Sequence, residues 1–98
     1  MIHVTATFRI RPGTIEPFVQ AAYAAIDIAR REPGCLFYDL HASVTDPDRL
    51  VFLEKWDSRE VFDRHITTAH MADFRDAIKA FVISSRIEII FPDHIDTI

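Results

Sequence analysis

Residues 35–56, CLFYDLHASVTDPDRLVFLEKW, decide the fold. Two apolar and aromatic runs, Cys35 to Ser43 and Arg49 to Trp56, flank Thr45-Asp-Pro-Asp48, whose proline and aspartates favour chain reversal. The link is too short to carry a crossover helix, so the runs predict an antiparallel hairpin. Both sides of each strand read as apolar: Cys35 and Phe37 against Leu36, Tyr38 and Leu40, then Leu50 and Phe52 against Val51 and Leu53. A sheet with helices on one face ordinarily turns polar residues outward on the other, so this pattern predicts that the second face is covered too. With one kind of chain to hand, sheet-on-sheet packing about a two-fold axis is the simplest cover, which predicts a homodimer.

Upstream, Ile2, Val4, Ala6, Phe8 and Ile10 alternate with His3, Thr5, Thr7 and Arg9, the two-residue period of a strand with one apolar face. Pro12-Gly13 ends it. Thr14 is placed to cap a helix in which Ile15, Phe18, Val19, Ala22, Ile26 and Ala29 fall on one stripe, and Pro33-Gly34 stops that helix. Downstream, Asp57 followed three residues later by Glu60 has the form of a capping box, and Val61, Phe62, His65 and Ile66 make the inner stripe of a second helix. Thr67-Thr68 is placed to bend or interrupt it. A further helical stretch from about Ala69 to Ser84 turns Phe74, Ile78, Phe81 and Val82 inward, and Arg86 to Phe91 predicts a last strand stopped by Pro92. The order is βαββαβ over residues 1–98 read as a single domain: an α+β, ferredoxin-like arrangement, a four-stranded antiparallel sheet with its helices on one face.

Composition narrows the function. With 49% hydrophobic and 27% charged residues the chain is that of a folded domain, not a disordered one. Eleven Lys and Arg against fifteen Asp and Glu give a net charge of −4, so there is no positive field to hold phosphate backbones and no nucleic-acid partner is expected. No apolar run approaches the roughly 20 residues of a membrane-spanning helix, and the N-terminus lacks the basic-then-apolar pattern of a secretion signal, so no membrane partner and a cytoplasmic location are expected. The lone cysteine, Cys35, lies beside Gly34 in an apolar stretch and reads as a small packing residue, not a nucleophile.

The Arg11-Pro-Gly13 turn with its helix, the segment Glu32-Pro-Gly-Cys-Leu36, the strand end Glu54-Lys-Trp56, and His65-Ile-Thr-Thr-Ala-His70 followed by Phe74 together carry a resemblance. Over essentially its whole length the chain resembles the antibiotic biosynthesis monooxygenase domains, including the small quinol monooxygenase-like proteins. The resemblance implies a dimeric α+β barrel with a pocket in each subunit, between the sheet and the second helical region. It also implies an oxygenase that needs neither flavin nor metal. An electron-rich aromatic such as a hydroquinone or anthrone is deprotonated, and its carbanion or enolate reduces molecular oxygen directly. No glycine-rich nucleotide motif opens either helix, which fits the expectation of no cofactor. Similar domains perform other reactions on the same fold. An isomerase of a phosphorylated, autoinducer-like ketose shares the His-x-Thr-Thr-x-His stretch and should have a cationic pocket. A non-catalytic ligand-binding protein would keep an apolar pocket with structural histidines. Haem degradation is disfavoured, because Arg75 and Ala6 stand where a haem-ligating histidine and its polar partner are needed.

Among individual residues, His65 is the candidate for proton transfer, since imidazole titrates near neutrality; its structural alternative is a ring bonded to a backbone carbonyl or to Glu54. Trp56 shares a strand face with Glu54, Leu50 and Phe52, and it offers a flat wall with one N–H donor, or simply a core indole. Tyr38 has a hydroxyl for a substrate oxygen, although an aromatic on a buried strand is commonly packing. Glu54 on an apolar face needs a partner, and His65 or Arg75 is available for that. His70 and Phe74 complete the expected substrate-binding set. Five positions separate His65 from His70, about 140° around a continuous helix, so only a bend at Thr67-Thr68 brings both rings to one site, and no metal is expected there. His3 and His41 are expected near a rim or a dimer contact.

Overall fold

Alternating apolar residues turn Ile2–Ile10 into strand β1, burying Ile2, Val4, Ala6 and Ile10 while leaving Arg9 exposed. The computed structural model describes all residues from Met1 to Ile98. After β1 come α1 (Ile15–Arg30), β2 (Cys35–Ala42), β3 (Arg49–Trp56), α2 (Arg59–Ile66), α3 (Ala69–Ile78) and β4 (Val82–Ile90). The strands form one antiparallel sheet in the order β2-β3-β1-β4, the ferredoxin-like α+β arrangement that the sequence predicts.

The helices lie over one sheet face. Helix α1 buries Phe18, Ala22, Ala25 and Ala29, a stripe whose small residues allow close approach. The Phe18 ring stands 5.5 Å from Phe8 of β1 and 6.0 Å from Phe74 of α3, and Phe74 stands 5.9 Å from Phe52 of β3. These edge-on and tilted aromatic contacts tie both layers into one core.

Four details differ from expectation. The cap of α2 is Ser58, not Asp57: Ser58 is extended and its Oγ accepts a hydrogen bond from Val61 N at 3.2 Å, so the capping-box spacing from Asp57 to Glu60 is not used. The second helical stretch ends at Ile78 instead of running to Ser84, and β4 starts at Val82 instead of Arg86. The cause is the ladder with β1, which claims residues from Val82 onward, and Phe81 O already accepts from Arg11 N at 2.8 Å. In β2 a register shift between Cys35 and Phe37 leaves Leu36 as an extra residue, so Cys35 and Phe37 do not share a face. Cys35 instead lies opposite Trp56 on the helix side, with Tyr38 and Leu40.

That bulge alters the reading of the second face. By register, the side away from the helices presents Phe37, Asp39 and His41 from β2, Val51, Leu53 and Lys55 from β3, His3, Thr5 and Thr7 from β1, and Arg86, Glu88 and Ile90 from β4. It is a mixed surface with a small apolar centre, not a second apolar face.

Candidate active site

The site begins in the turn after α1. Gly34 has φ +85°, which side-chain-bearing residues rarely adopt, and a Cβ there would meet Val61 Cγ1 at 2.6 Å. Only glycine lets this turn lie against α2. Its carbonyl accepts from Asp57 N at 2.9 Å, and Cys35 N donates to Glu32 O at 3.1 Å, so the turn is pinned to the end of β3. The side chain of Glu32 thereby reaches the last turn of α2.

There it meets two histidines. His65 Nδ1 lies 2.5 Å from Glu32 Oε2, and His70 Nε2 lies 2.7 Å from Glu32 Oε1. The Thr67-Thr68 break makes this possible. The Thr67 and Thr68 hydroxyls each donate at 2.8 Å to the carbonyls of Arg64 and His65, closing α2, and α3 restarts at Ala69 in a new direction. The bend therefore brings both rings to one carboxylate, with their centroids 5.9 Å apart. One ligand atom from each of Glu32, His65 and His70 lies within 4.8 Å of the others, a donor set of metal-binding type.

Above His65 a cavity of about 330 Å³ lies between the sheet and α2–α3. Eleven of its sixteen lining residues are hydrophobic, so an apolar ligand suits it better than a highly charged one. The walls include Phe8, Phe52, Phe62, Met71, Phe74 and Ile78; the polar groups are Glu54, His65 and Tyr38 inside, Ser85 on β4, exposed Arg75 on α3 and exposed Lys79 at its C-cap. His65 Nε2, Tyr38 Oη and Glu54 Oε2 have no protein partner and are not among the sealed, unpartnered atoms, which are His3 Nε2 and His70 Nδ1. All three residues line the cavity, so these atoms are available to it.

Two expected residues stand elsewhere. Trp56 is fully buried and does not line the cavity; its ring packs 4.5 Å behind His65, and its N–H donates to Glu54 Oε1 at 2.9 Å, which leaves no donor for a ligand. Glu54 thus pairs with the indole, not with His65 or Arg75, and Arg75 donates instead to the carbonyl of Ile66 at 3.2 Å. His70 also lies off the cavity wall, behind Glu32. Tyr38, Glu54, His65 and Phe74 do line it. Glu32 has no role that its sequence pattern marks, although it stands in the Glu32-Pro-Gly segment that carries part of the family resemblance.

Burial governs the electrostatics. It pushes the Glu54 carboxyl up to about 7, with the charge of Glu32 adding to the rise and the Trp56 N–H opposing it. Burial also holds His65 below the ordinary imidazole value, against the hydrogen bond and charge of Glu32, so the ring is neutral at pH 7. The Tyr38 hydroxyl is pushed up by burial and then by Glu54 and Glu32, so it remains a proton donor. Burial, followed by the charge of Glu32, raises the Cys35 thiol, which argues against a nucleophile there. The floor of an apolar chamber thus holds a neutral imidazole acceptor, a phenol donor and a carboxyl group that exchanges its proton near neutrality.

Comparison with known proteins agrees with this architecture. The family model described as antibiotic biosynthesis monooxygenase matches residues 1–77. The chain is 29% identical to the probable quinol monooxygenase YgiN of Escherichia coli K12 over 106 aligned residues, covering 94% of this chain and 98% of that one. It is also 29% identical over 73 residues to an uncharacterized Synechocystis protein, sll1783, of which the match spans only half the length. Among solved structures, Rv0793 from Mycobacterium tuberculosis superposes with a TM-score of 0.88 at 26% identity, over 98% of both chains.

Proposed function

Because the chain belongs to the antibiotic biosynthesis monooxygenase family, we propose that its cavity oxidises an electron-rich aromatic, a hydroquinone or an anthrone, with molecular oxygen and without a cofactor. The observation that carries the reading is the open Nε2 of a neutral, buried His65 at the floor of an apolar cavity. Phe74, Phe52 and Phe8 hold the ring system. His65 takes a proton from the activated C–H or phenol, and the resulting enolate or phenolate is rich enough in electrons to reduce oxygen. For an anthrone CH₂, one electron passes to oxygen and the radical pair joins as C–OOH. Loss of water then leaves C=O, with one oxygen atom kept and the other released as water. The Tyr38 hydroxyl faces the developing oxyanion, and protonated Glu54 supplies the proton that the departing hydroxide needs. Apolar walls protect the intermediates from solvent.

A second reading draws on Arg75 and Lys79, cations one helical turn apart at the cavity rim, which suit the phosphate of a phosphorylated ketose. The apolar majority of the wall favours the aromatic substrate, and a non-catalytic aromatic-binding protein would use the same wall. We also propose a homodimer acting in the cytoplasm, where the unpaired thiol of Cys35 stays reduced. No helix is long and apolar enough to cross a membrane.

Oxygen uptake with a panel of hydroquinones and anthrones, run beside phosphorylated ketoses, tests the reaction. His65→Ala should lower turnover by roughly two to four orders of magnitude while leaving the fold intact. A folded, fully active His65→Ala protein removes the proton-transfer role. Ligand binding without turnover across the whole panel favours the binding protein.

A further inference from the structure

We infer that Glu32 is a positioning residue for the proposed chemistry: by accepting from both imidazoles it fixes their tautomers, so that His65 presents an unprotonated Nε2 to the cavity. The inference rests on the reading of His65 as the cavity's base. A carboxylate oxygen only accepts hydrogen bonds, so the protons of the two short contacts lie on His65 Nδ1 and His70 Nε2. A neutral ring with its proton on Nδ1 has its lone pair on Nε2, the unpartnered nitrogen of a residue that lines the cavity. In water the opposite tautomer of a histidine side chain is preferred, and it would point a donor at the substrate. Glu32 reverses that preference.

The surroundings leave the role to Glu32. Phe62, Trp56 and Tyr38 enclose His65 with ring faces and edges, at centroid distances of 6.1, 4.5 and 5.6 Å. No backbone carbonyl accepts from either ring nitrogen of His65. When Nε2 takes a proton, the imidazolium forms against a carboxylate already hydrogen-bonded to it, which stabilises the charge at the moment it appears. His70 occupies the second oxygen of Glu32 and so keeps the carboxylate from rotating away.

The same three side chains could instead ligate a divalent cation. Ligand atoms on one tetrahedral ion at bond lengths of about 2.0–2.2 Å stand more than 3 Å apart, so both nitrogen–oxygen contacts would have to open. Metal-bound imidazoles also usually donate from their distal nitrogen to an acceptor, yet His70 Nδ1 is sealed without any partner and His65 Nε2 has no protein acceptor. Hydrogen bonding is the better account.

Long-range ¹H–¹⁵N correlation spectra of protein labelled in its histidines read the tautomer directly, with no substrate needed. Wild-type His65, above its titration, should show a protonated Nδ1 and a bare Nε2. A proton on Nε2 in the wild type overturns the inference. Glu32→Gln keeps the shape but puts a donor amide against one of the two rings. Loss of the charge should lower the His65 titration midpoint, and with the NH₂ turned to His65 the ring should shift toward the Nε2–H form and kcat on a quinol or anthrone should fall by roughly 10²- to 10⁴-fold with little change in KM, as expected when a base is held in the wrong tautomer. Glu32→Asp, which retains the charge, should recover part of each. An unchanged His65 tautomer and midpoint in Glu32→Gln overturns the inference. So does one equivalent of Zn²⁺ or Mn²⁺ bound by the wild type and lost in Glu32→Gln, which makes the cluster a metal site. A wild-type-like His65→Ala turnover beside a Glu32-dependent tautomer removes the proposed reaction role of His65 and leaves the tautomer control standing.

Discussion

Glu54 is the residue whose cost to the fold is most directly measurable. Its side chain is almost fully buried, and its partner is a neutral indole N–H instead of a cation. With its value raised to about 7 by burial, the native state holds more protons than the unfolded chain between the ordinary carboxylate range and about pH 7. Stability therefore falls as pH rises through that window. Above it, the charged form lowers stability by about 3 kcal/mol, taking 1.4 kcal/mol per pH unit. His65 acts in the other direction: its value lies below the ordinary one, so stability falls as pH drops and the buried ring must charge. We predict that Glu54→Gln, which can still accept from Trp56 through its amide oxygen, stabilises the protein at pH 8 and changes it little at pH 4.5. Urea unfolding at fixed protein concentration at the two pH values reads the difference. An equal effect at both would show that the charge of Glu54 is not what the fold opposes. A carboxyl kept at this cost, on a cavity wall beside a neutral imidazole, is what a site that moves protons near pH 7 requires.

Among the elements, the Pro33-Gly34 turn does the most to position the site, because it carries Glu32 to His65 while lying against α2. Gly34→Ala must adopt a left-handed backbone, at roughly 1–2 kcal/mol, and must displace the Val61 methyls that stand 2.6 and 3.0 Å from the new Cβ. Overpacking of that kind costs roughly 1–3 kcal/mol more. Gly34→Ala should therefore destabilise by about 2–5 kcal/mol. Adding Val61→Ala should return the packing part but not the backbone part, a non-additivity that a double-mutant cycle measures. Additive effects would mean that Val61 does not confine the turn. These elements also show what the sequence could and could not reveal. Strands β1 and β3 were legible to the residue, because β1 alternates strictly and β3 ends at a glutamate and a tryptophan before a polar turn. The start of β4 was hidden by Ser84 and Ser85, which an edge strand tolerates and which interrupt no helical stripe decisively. His65 and Glu54 stood out as polar residues on apolar stripes. Glu32 lies between elements, where no periodicity marks it, and its partners are 33 and 38 positions away, so only the folded turn reveals its role.

At the scale of the whole molecule the question is what covers the surfaces that the helices leave bare. The bulge at Leu36 was invisible in a run where both parities are apolar, and it moved Cys35 inward with Tyr38, so the outer face has fewer apolar groups than the sequence suggests. A dimer through that face must therefore rest on a smaller centre: Leu53, paired with Thr5 on one side and Asp39 on the other, together with Val51 and Phe37. His3 Nε2 is sealed without a partner on the same face. The exposed side chains of Leu36, Ile83, Ile90 and Phe91 extend the apolar area toward both sheet edges. On the other side of β4, exposed Ile87 lines the cavity beside Ser85, on a strand whose main contacts are with β1 alone, so cover over the β4 edge would close the chamber as well as bury apolar surface. We predict a species of twice the 11.3 kDa chain mass in sedimentation at micromolar concentration. Leu53→Asp should dissociate it without unfolding the monomer, because Leu53 is already partly solvent-facing and lies outside the core. A wild-type monomer would refute the dimer. A Leu53→Asp protein that remains dimeric would move the contact from the sheet face to the β4 edge and the C-terminal segment, where Ile90 and Phe91 become the residues to substitute.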